Sequence, residues 1–298
     1  MTATGTVDAG SEAALRRLEL LVTRRLDGLL QGDHQGIVPG GGTEAGEGRH
    51  YQPGDDVRRI DWNLTARSTV TSVRDTVADR ELETWLVVDG SASLDFGTAG
   101  CAKRDLAQAA AAAFGFLICR SGNRLGAVVY GPEGTVVLPP RTGRDGVLRL
   151  LRRLGQRPPA AEGPASLGAA LRRARLVARR RGLVVVVSDL LDEDDWPRQL
   201  RALAARHEVV VVHVGDPRER DLPPVGLLTV VDPETGERHE VQTAGRRVRE
   251  RFAAAVAEQR ATAARAVRAA GAAHLELSTD RDWLLDVVRF TAARRRRR

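Results

Sequence analysis

Read for apolar spacing alone, the chain changes period several times. Leu15, Leu18, Val22, Leu26 and Leu29 recur at helical intervals between charged positions, which predicts an amphipathic helix packed on something larger. A glycine-rich stretch over 36–48, with Pro39 and the triplet at 40–42, reads as a loop. From Leu82 onward short buried runs alternate with helices. Leu86-Val87-Val88 reads as a strand, followed by a polar loop and an Ala-rich helix over 103–120 with Leu106, Ala110, Ala113, Phe114 and Leu117 on one face. Gly122 and Asn123 tolerate the left-handed backbone that ends such a helix. Residues 125–130 and 135–138 predict a hairpin across Pro132-Glu133, and 227–231 with 238–242 predict another across Pro233-Glu234. Further helices are predicted over 167–181, 196–206, 246–270 and 281–292, and further strands over 183–187, 209–214 and 274–277.

Continuous β-branched runs between helices belong to strands buried on both faces. The predicted fold class is therefore α/β, a doubly wound, mostly parallel, Rossmann-like sheet with an N-terminal helix and small β additions. The expected organisation is a tail and helix over 1–35, a distinct segment over 36–81, the α/β domain over 82–292 and an Arg-rich tail over 293–298.

Composition narrows the function classes. With 42% apolar and 29% charged residues in 298, the chain can bury a full core. The net charge of +7 raises nucleic acid as a partner. Its distribution argues against that: arginine is scattered over the whole length, and Lys103 is the only lysine. The Arg294–Arg298 run reads as a solvated end. Two cysteines, Cys101 and Cys119, make no disulfide framework and fit a reducing, cytoplasmic setting. Residues 1–11 lack the basic and apolar regions of a signal peptide, and no apolar run approaches the roughly 20 residues of a membrane span.

The sharpest local motif is Asp89-Gly90-Ser91-Ala92-Ser93, a D-x-S-x-S pattern at the end of the first parallel strand. Ligands of doubly wound sheets sit beyond the carboxyl ends of the strands, where loops converge. Asp89 offers a carboxylate, and Ser91 and Ser93 can turn hydroxyls toward the same point. Hard oxygens of this kind suit Mg²⁺ or Mn²⁺. One carboxylate and two neutral hydroxyls leave such an ion with residual positive charge, which favours an acidic group from a partner. Ser188-Asp189, closing the run at 184–187, brings a second carboxylate to a neighbouring strand end, the place for a group that holds a metal-bound water. Asp95 is a further carboxylate near the loop. Upstream, Pro53-Gly54 fits a type II turn presenting Asp55 and Asp56 beside Arg58, Arg59 and Arg67, which reads as a structural brace.

These blocks together resemble a known family. The R-x-Y-x-P-G-D-D-x-R-x-I-D-W run from Arg49 to Trp62, the Ala66-Arg67 pair, the D-x-S-x-S motif and the Ser188-Asp189 strand end are similar to the domain of unknown function 58 (DUF 58) family. The resemblance implies a von Willebrand factor A-like domain whose D-x-S-x-S is a metal-ion-dependent adhesion site. It also implies work beside a MoxR-type AAA+ ATPase, in assembly or activation of other proteins. The family's Gly-Gly-Thr-Asp-Leu loop corresponds here to Gly163-Pro164-Ala165-Ser166-Leu167, so Ala165 replaces the threonine and Ser166 is the nearest substitute hydroxyl.

Other sites fail on spacing. Lys103 lacks the adjacent Gly and Ser/Thr of a phosphate-binding loop, Gly90-Ser91 is not a hydrolase elbow, and the six histidines show no zinc spacing. The expectation is a non-enzymatic, metal-dependent protein-binding module with Asp89, Ser91, Ser93, Ser166 and Asp189 around Mg²⁺ or Mn²⁺. Its partner is then a MoxR-type AAA+ ATPase or that ATPase's client. The alternatives are a metal-dependent hydrolase, which lacks a visible base or nucleophile, and a scaffold whose metal site is degenerate.

Overall fold

The computed structural model describes residues 19–24, 48–52, 57, 60, 62–68, 70–74, 83–120, 122–156 and 166–295. Residues 19–24 are helical within the predicted amphipathic stretch. Val22 is fully buried there and Arg144 donates to both carboxylate oxygens of Glu19, so this segment is part of the core's cover. The segment at 36–81, read as loop and turn, also contains regular structure. A three-residue antiparallel ladder joins β1 (Gly48–His50) to β2 (Ser72–Arg74), with α1 (Trp62–Ser68) between them. Thr65 ties α1 to β2 by accepting from the Ser72 amide at 3.1 Å. The proposed brace of Asp55, Asp56, Arg58 and Arg59 lies outside the described residues, and Arg67 is exposed on α1.

The main sheet follows the apolar runs. Its elements are β3 (Glu83–Asp89), α2 (Lys103–Arg120), β4 (Arg124–Gly131), β5 (Gly134–Thr142), α3 (Gly143–Gly155), α4 (Leu167–Val177), β6 (Leu183–Ser188), α5 (Trp196–Ala204) and β7 (Glu208–Gly215). The chain continues through β8 (Leu227–Val231), β9 (Arg238–Gln242), α6 (Arg246–Ala269), β10 (Ala273–Ser278) and α7 (Trp283–Arg295). Six strands pair in the order β10-β7-β6-β3-β4-β5, parallel throughout except for the antiparallel edge strand β5. The fold is a doubly wound α/β fold, as the sequence predicts. β5 reverses because only Pro132 and Glu133 separate it from β4, too few residues for a parallel crossover.

Alternation along each strand fills two cores. Leu86, Val88, Val185, Val187, Val210 and Val212 face α2, α3 and α7, whereas Trp85, Val87, Val184, Val186, Val209 and Val211 face α4, α5 and α6. Because both sets are wanted inside, the strands read as unbroken apolar runs. The run Ala109–Ala113 is buried along its whole length, since α2 lies between the sheet and the helices α3 and α7. Small side chains permit that approach.

Two boundaries differ from the predicted ones. α4 stops at Val177 rather than at residue 181, because Ala178 leaves the helical backbone at ψ of 72° and the Arg179 amide turns to the Val177 carbonyl at 2.9 Å. α7 runs to Arg295, and Arg294 pairs with Glu208, so the start of the Arg-rich tail is helical and tied to the domain. Cys101 precedes α2, and both cysteines are free thiols. No helix among the described residues is long and apolar enough to cross a membrane.

Candidate metal centre

Strand order locates the site. From β3 the chain moves outward to β4 and β5, then returns through α3 and α4 to place β6 on the other side of β3. The carboxyl ends of β3 and β6 therefore flank the topological switch point. Val88 is level with Val187 in the register, so Asp89 and Ser188 emerge side by side. Ser188 Oγ donates to Asp89 Oδ2 at 2.9 Å, and Tyr130 OH donates to Ser188 Oγ at 3.1 Å.

The D-x-S-x-S loop folds back on its own carboxylate. The Ser91 amide donates to Asp89 Oδ1 at 2.7 Å, a local turn that aspartate makes readily. A 3-10 turn, Ala92–Asp95, follows, and Leu94 anchors it in the core at 1% exposure. Ser91 Oγ and Ser93 Oγ lie 2.8 Å apart, and Ser93 Oγ donates to Asp189 Oδ2 at 2.7 Å. Behind the loop, Gly90 donates to the Tyr130 carbonyl at 2.7 Å. A Cβ at Gly131 would meet the Gly90 carbonyl oxygen at 2.9 Å, so the close approach of these backbones requires glycine there.

On the β6 side, Leu190 is a buried non-glycine residue with φ of 57°, an uncommon conformation for a branched side chain. Its amide donates to Ser188 Oγ at 3.0 Å and Leu191 donates to Asp189 Oδ1 at 3.3 Å. This bend turns Asp189 back toward Ser93 while Leu190 stays in the core. Local strain of that kind collects at functional sites.

Four of the five predicted site residues thus come together: Asp89, Ser91, Ser93 and Asp189 are all buried and joined by hydrogen bonds. Ser166 joins a different set. It caps α4, accepting from the Ala169 amide at 3.0 Å and donating to Asp194 Oδ2 at 2.6 Å. Ala165 lies outside the described residues. Asp95 pairs with Arg104 away from the cluster.

The electrostatics of the two central carboxylates differ. Asp189 Oδ2 also accepts from Lys103 Nζ at 2.8 Å, and the same ammonium pairs with Glu219. Burial opposes the Lys103 charge, but Asp189 and Glu219 outweigh it and hold its pKa above the usual lysine value. Asp89 receives neutral donors instead. Burial first, and then the charge of Asp189, push its pKa up to about 6 against the lowering pull of the Ser91 hydrogen bonds. Asp192, whose Oδ1 accepts from the Leu167 amide at the start of α4, is pushed up to about 7 by burial and by Asp89. Carboxylates this reluctant to ionise are relieved by a cation, and the donors around them are hard oxygens. The residues present therefore fit Mg²⁺ or Mn²⁺. Two small cavities of about 10 and 30 Å³ lie against Gly90 behind the loop, each large enough for a water.

Sequence reasoning missed Lys103, Tyr130, Asp192, Glu219 and Glu234, whose Oε1 accepts from the Ser93 amide at 2.9 Å. One signal was available. A single lysine among 46 lysines and arginines marks a place where a compact ammonium fits and a planar guanidinium does not.

A second polar group, His213, His274 and Glu276, lies on the sheet face toward α6 with ligand atoms within 4.8 Å of one another. Its imidazole planes are 19° from parallel with centroids 5.6 Å apart, so their in-plane lone pairs do not converge. Arg260 already binds Glu276 at 2.6 Å. Burial pushes His213 down to about 4 and lowers His274 as well.

Fold and switch-point cluster together define a doubly wound α/β domain with a carboxylate and serine cluster at its switch point. The chain belongs to the family described as Protein of unknown function DUF58, which it matches over residues 47–262. An uncharacterized protein of Mycobacterium tuberculosis strain H37Rv is 53% identical over 285 residues, covering 95% of this chain and 90% of its own. Among solved structures, the SpRpn10 VWA domain is 14% identical, with a TM-score of 0.41 over 70% of this chain and 93% of that one. A von Willebrand factor type A protein from Catenulispora acidiphila is 12% identical, with a TM-score of 0.37 over 75% of this chain and 43% of its own.

Proposed function

We propose that this protein is a cytoplasmic, non-enzymatic module that binds a protein partner through a divalent cation at the β3–β6 switch point. Asp89, Ser91 and Ser93 would hold Mg²⁺ or Mn²⁺, Asp189 would position its water, and Ser166 would stiffen the neighbouring loop through Asp194. When bound, the ion supplies an electropositive docking point for a partner carboxylate. The observation that carries the reading is the meeting of these oxygens around Asp89, a buried carboxylate served by neutral donors.

Family membership directs the choice of partner toward a MoxR-type AAA+ ATPase or its client. Affinity capture from the native cell extract tests it. Capture in Mg²⁺ that is lost in chelator and lost with Asp89→Ala supports the reading. Equal capture under all three conditions overturns it.

A further inference from the structure

The tip of the β8–β9 hairpin reaches the centre from 141 residues away in sequence, where Glu234 Oε1 accepts from the Ser93 amide at 2.9 Å. Its other oxygen, Oε2, is shut away from solvent and accepts no hydrogen bond among the described residues. A buried carboxylate oxygen without a donor is costly unless a cation stands near it. The loop it touches is the one that brings Asp89, Ser91 and Ser93 together.

The hairpin is built to present that one side chain. Asp232 accepts from the Glu234 amide at 2.8 Å and its own amide donates to the Glu237 carbonyl at 2.8 Å, with Gly236 at φ of 73° closing the turn. At the base, buried Thr243 clasps Gly226, its amide and hydroxyl reaching the Gly226 carbonyl at 2.6 and 2.8 Å. Between base and tip the strands pack on little: Leu227 is 61% exposed, and Val230 and Val231 are exposed as well. A ribbon of two strands with so little burial is marginal on its own. It is held at its two ends, one of them the contact with the metal-binding loop.

We propose that Glu234 is this chain's own occupant of the position a partner's carboxylate takes at the centre, and that the hairpin swings away when the partner docks. The inference rests on the metal-binding reading above. It makes the free protein self-capped: a partner competes with a tethered carboxylate.

The test uses the full chain as wild type, Glu234→Ala and Asp89→Ala. Hydrogen exchange of the amides over 227–242 is followed with and without Mn²⁺, and glutarate serves as a carboxylate probe of the Mn²⁺-loaded protein. Mn²⁺ should slow hairpin exchange at least fivefold in wild type and leave it unchanged in Glu234→Ala. Glutarate should bind Glu234→Ala at least tenfold more tightly than wild type. Equal glutarate affinity in the two, or a hairpin whose exchange ignores Mn²⁺ while Mn²⁺ binds, overturns the inference alone. Wild type that takes up no more Mn²⁺ than Asp89→Ala removes the metal reading, and the inference with it.

Discussion

Asp89 and Asp189 close neighbouring strands at equal depth, each 3% exposed, yet they are neutralised differently. Asp189 is compensated within the chain, since Lys103 lies 2.8 Å away and is fully buried. Asp89 has serine amide and hydroxyl donors and a pKa pushed up to about 6. The first is a finished ion pair that braces the switch point. The second has no cationic side chain beside it among the described residues, and under the proposed function a divalent ion would complete it. Placing one beside the other fixes Asp189 for its task while leaving negative potential where an ion is wanted.

Breaking the compensated half should have the largest effect. Lys103→Met leaves Asp189 buried without its cation and frees Glu219 from its partner. Removal of one member of a buried pair costs about 3–5 kcal/mol, and partial exposure of Glu219 places this case toward the lower end. Urea unfolding of wild type and variant at pH 7 measures it through the midpoint. A midpoint unmoved by Lys103→Met would mean that the ammonium is not what holds Asp189.

Removing charge from the uncompensated half should act in the opposite direction. Because burial raises the folded pKa of Asp89 from the ordinary aspartate value of 3.8 to about 6, its contribution favours the fold below pH 3.8 and is lost as pH rises through 6. Metal-free wild type should therefore lose stability against Asp89→Asn between about pH 4 and pH 7. At pH 7 the variant should be the more stable by roughly 2–3 kcal/mol, from about 1.4 kcal/mol per pKa unit. Asp192, pushed up to about 7 by burial and then by Asp89, adds a further loss in the same direction, smaller in the variant because the Asp89 charge is gone. Millimolar Mg²⁺ should reverse the order by stabilising wild type alone. Thermal unfolding across pH, with and without Mg²⁺, reads both outcomes.

What the sequence made legible divides along the same line. The strands of the main sheet announced themselves as apolar runs because both faces are buried, and the loops at their carboxyl ends carried a compact motif. Asp89, Ser91 and Ser93 sit within five residues, so local spacing was enough. Asp189 was found because it ends another such run. Lys103, Glu219 and Glu234 reach the same place from 86 to 141 residues away, and no local pattern encodes such pairings. Helix α3 was missed although Val147, Leu150, Leu151 and Leu154 have helical spacing; Gly143 and Gly146 in its first turn are poor helix formers. The β1–β2 ladder, three residues on each side, is too short to show a period. Ser166 illustrates the reverse case: a hydroxyl in the right loop is engaged in capping a helix, a role serine fills widely.

The central claim is that a cation completes Asp89. Diffraction from crystals soaked in excess Mn²⁺, at a wavelength where manganese scatters anomalously, tests it most directly. The account predicts one strong anomalous peak bonded to Asp89, Ser91 and Ser93 at about 2.0–2.3 Å, with Asp189 one water away and still paired with Lys103. A map with no peak there, and with Asp89 still bonded to Ser91 and Ser188 alone, would contradict it.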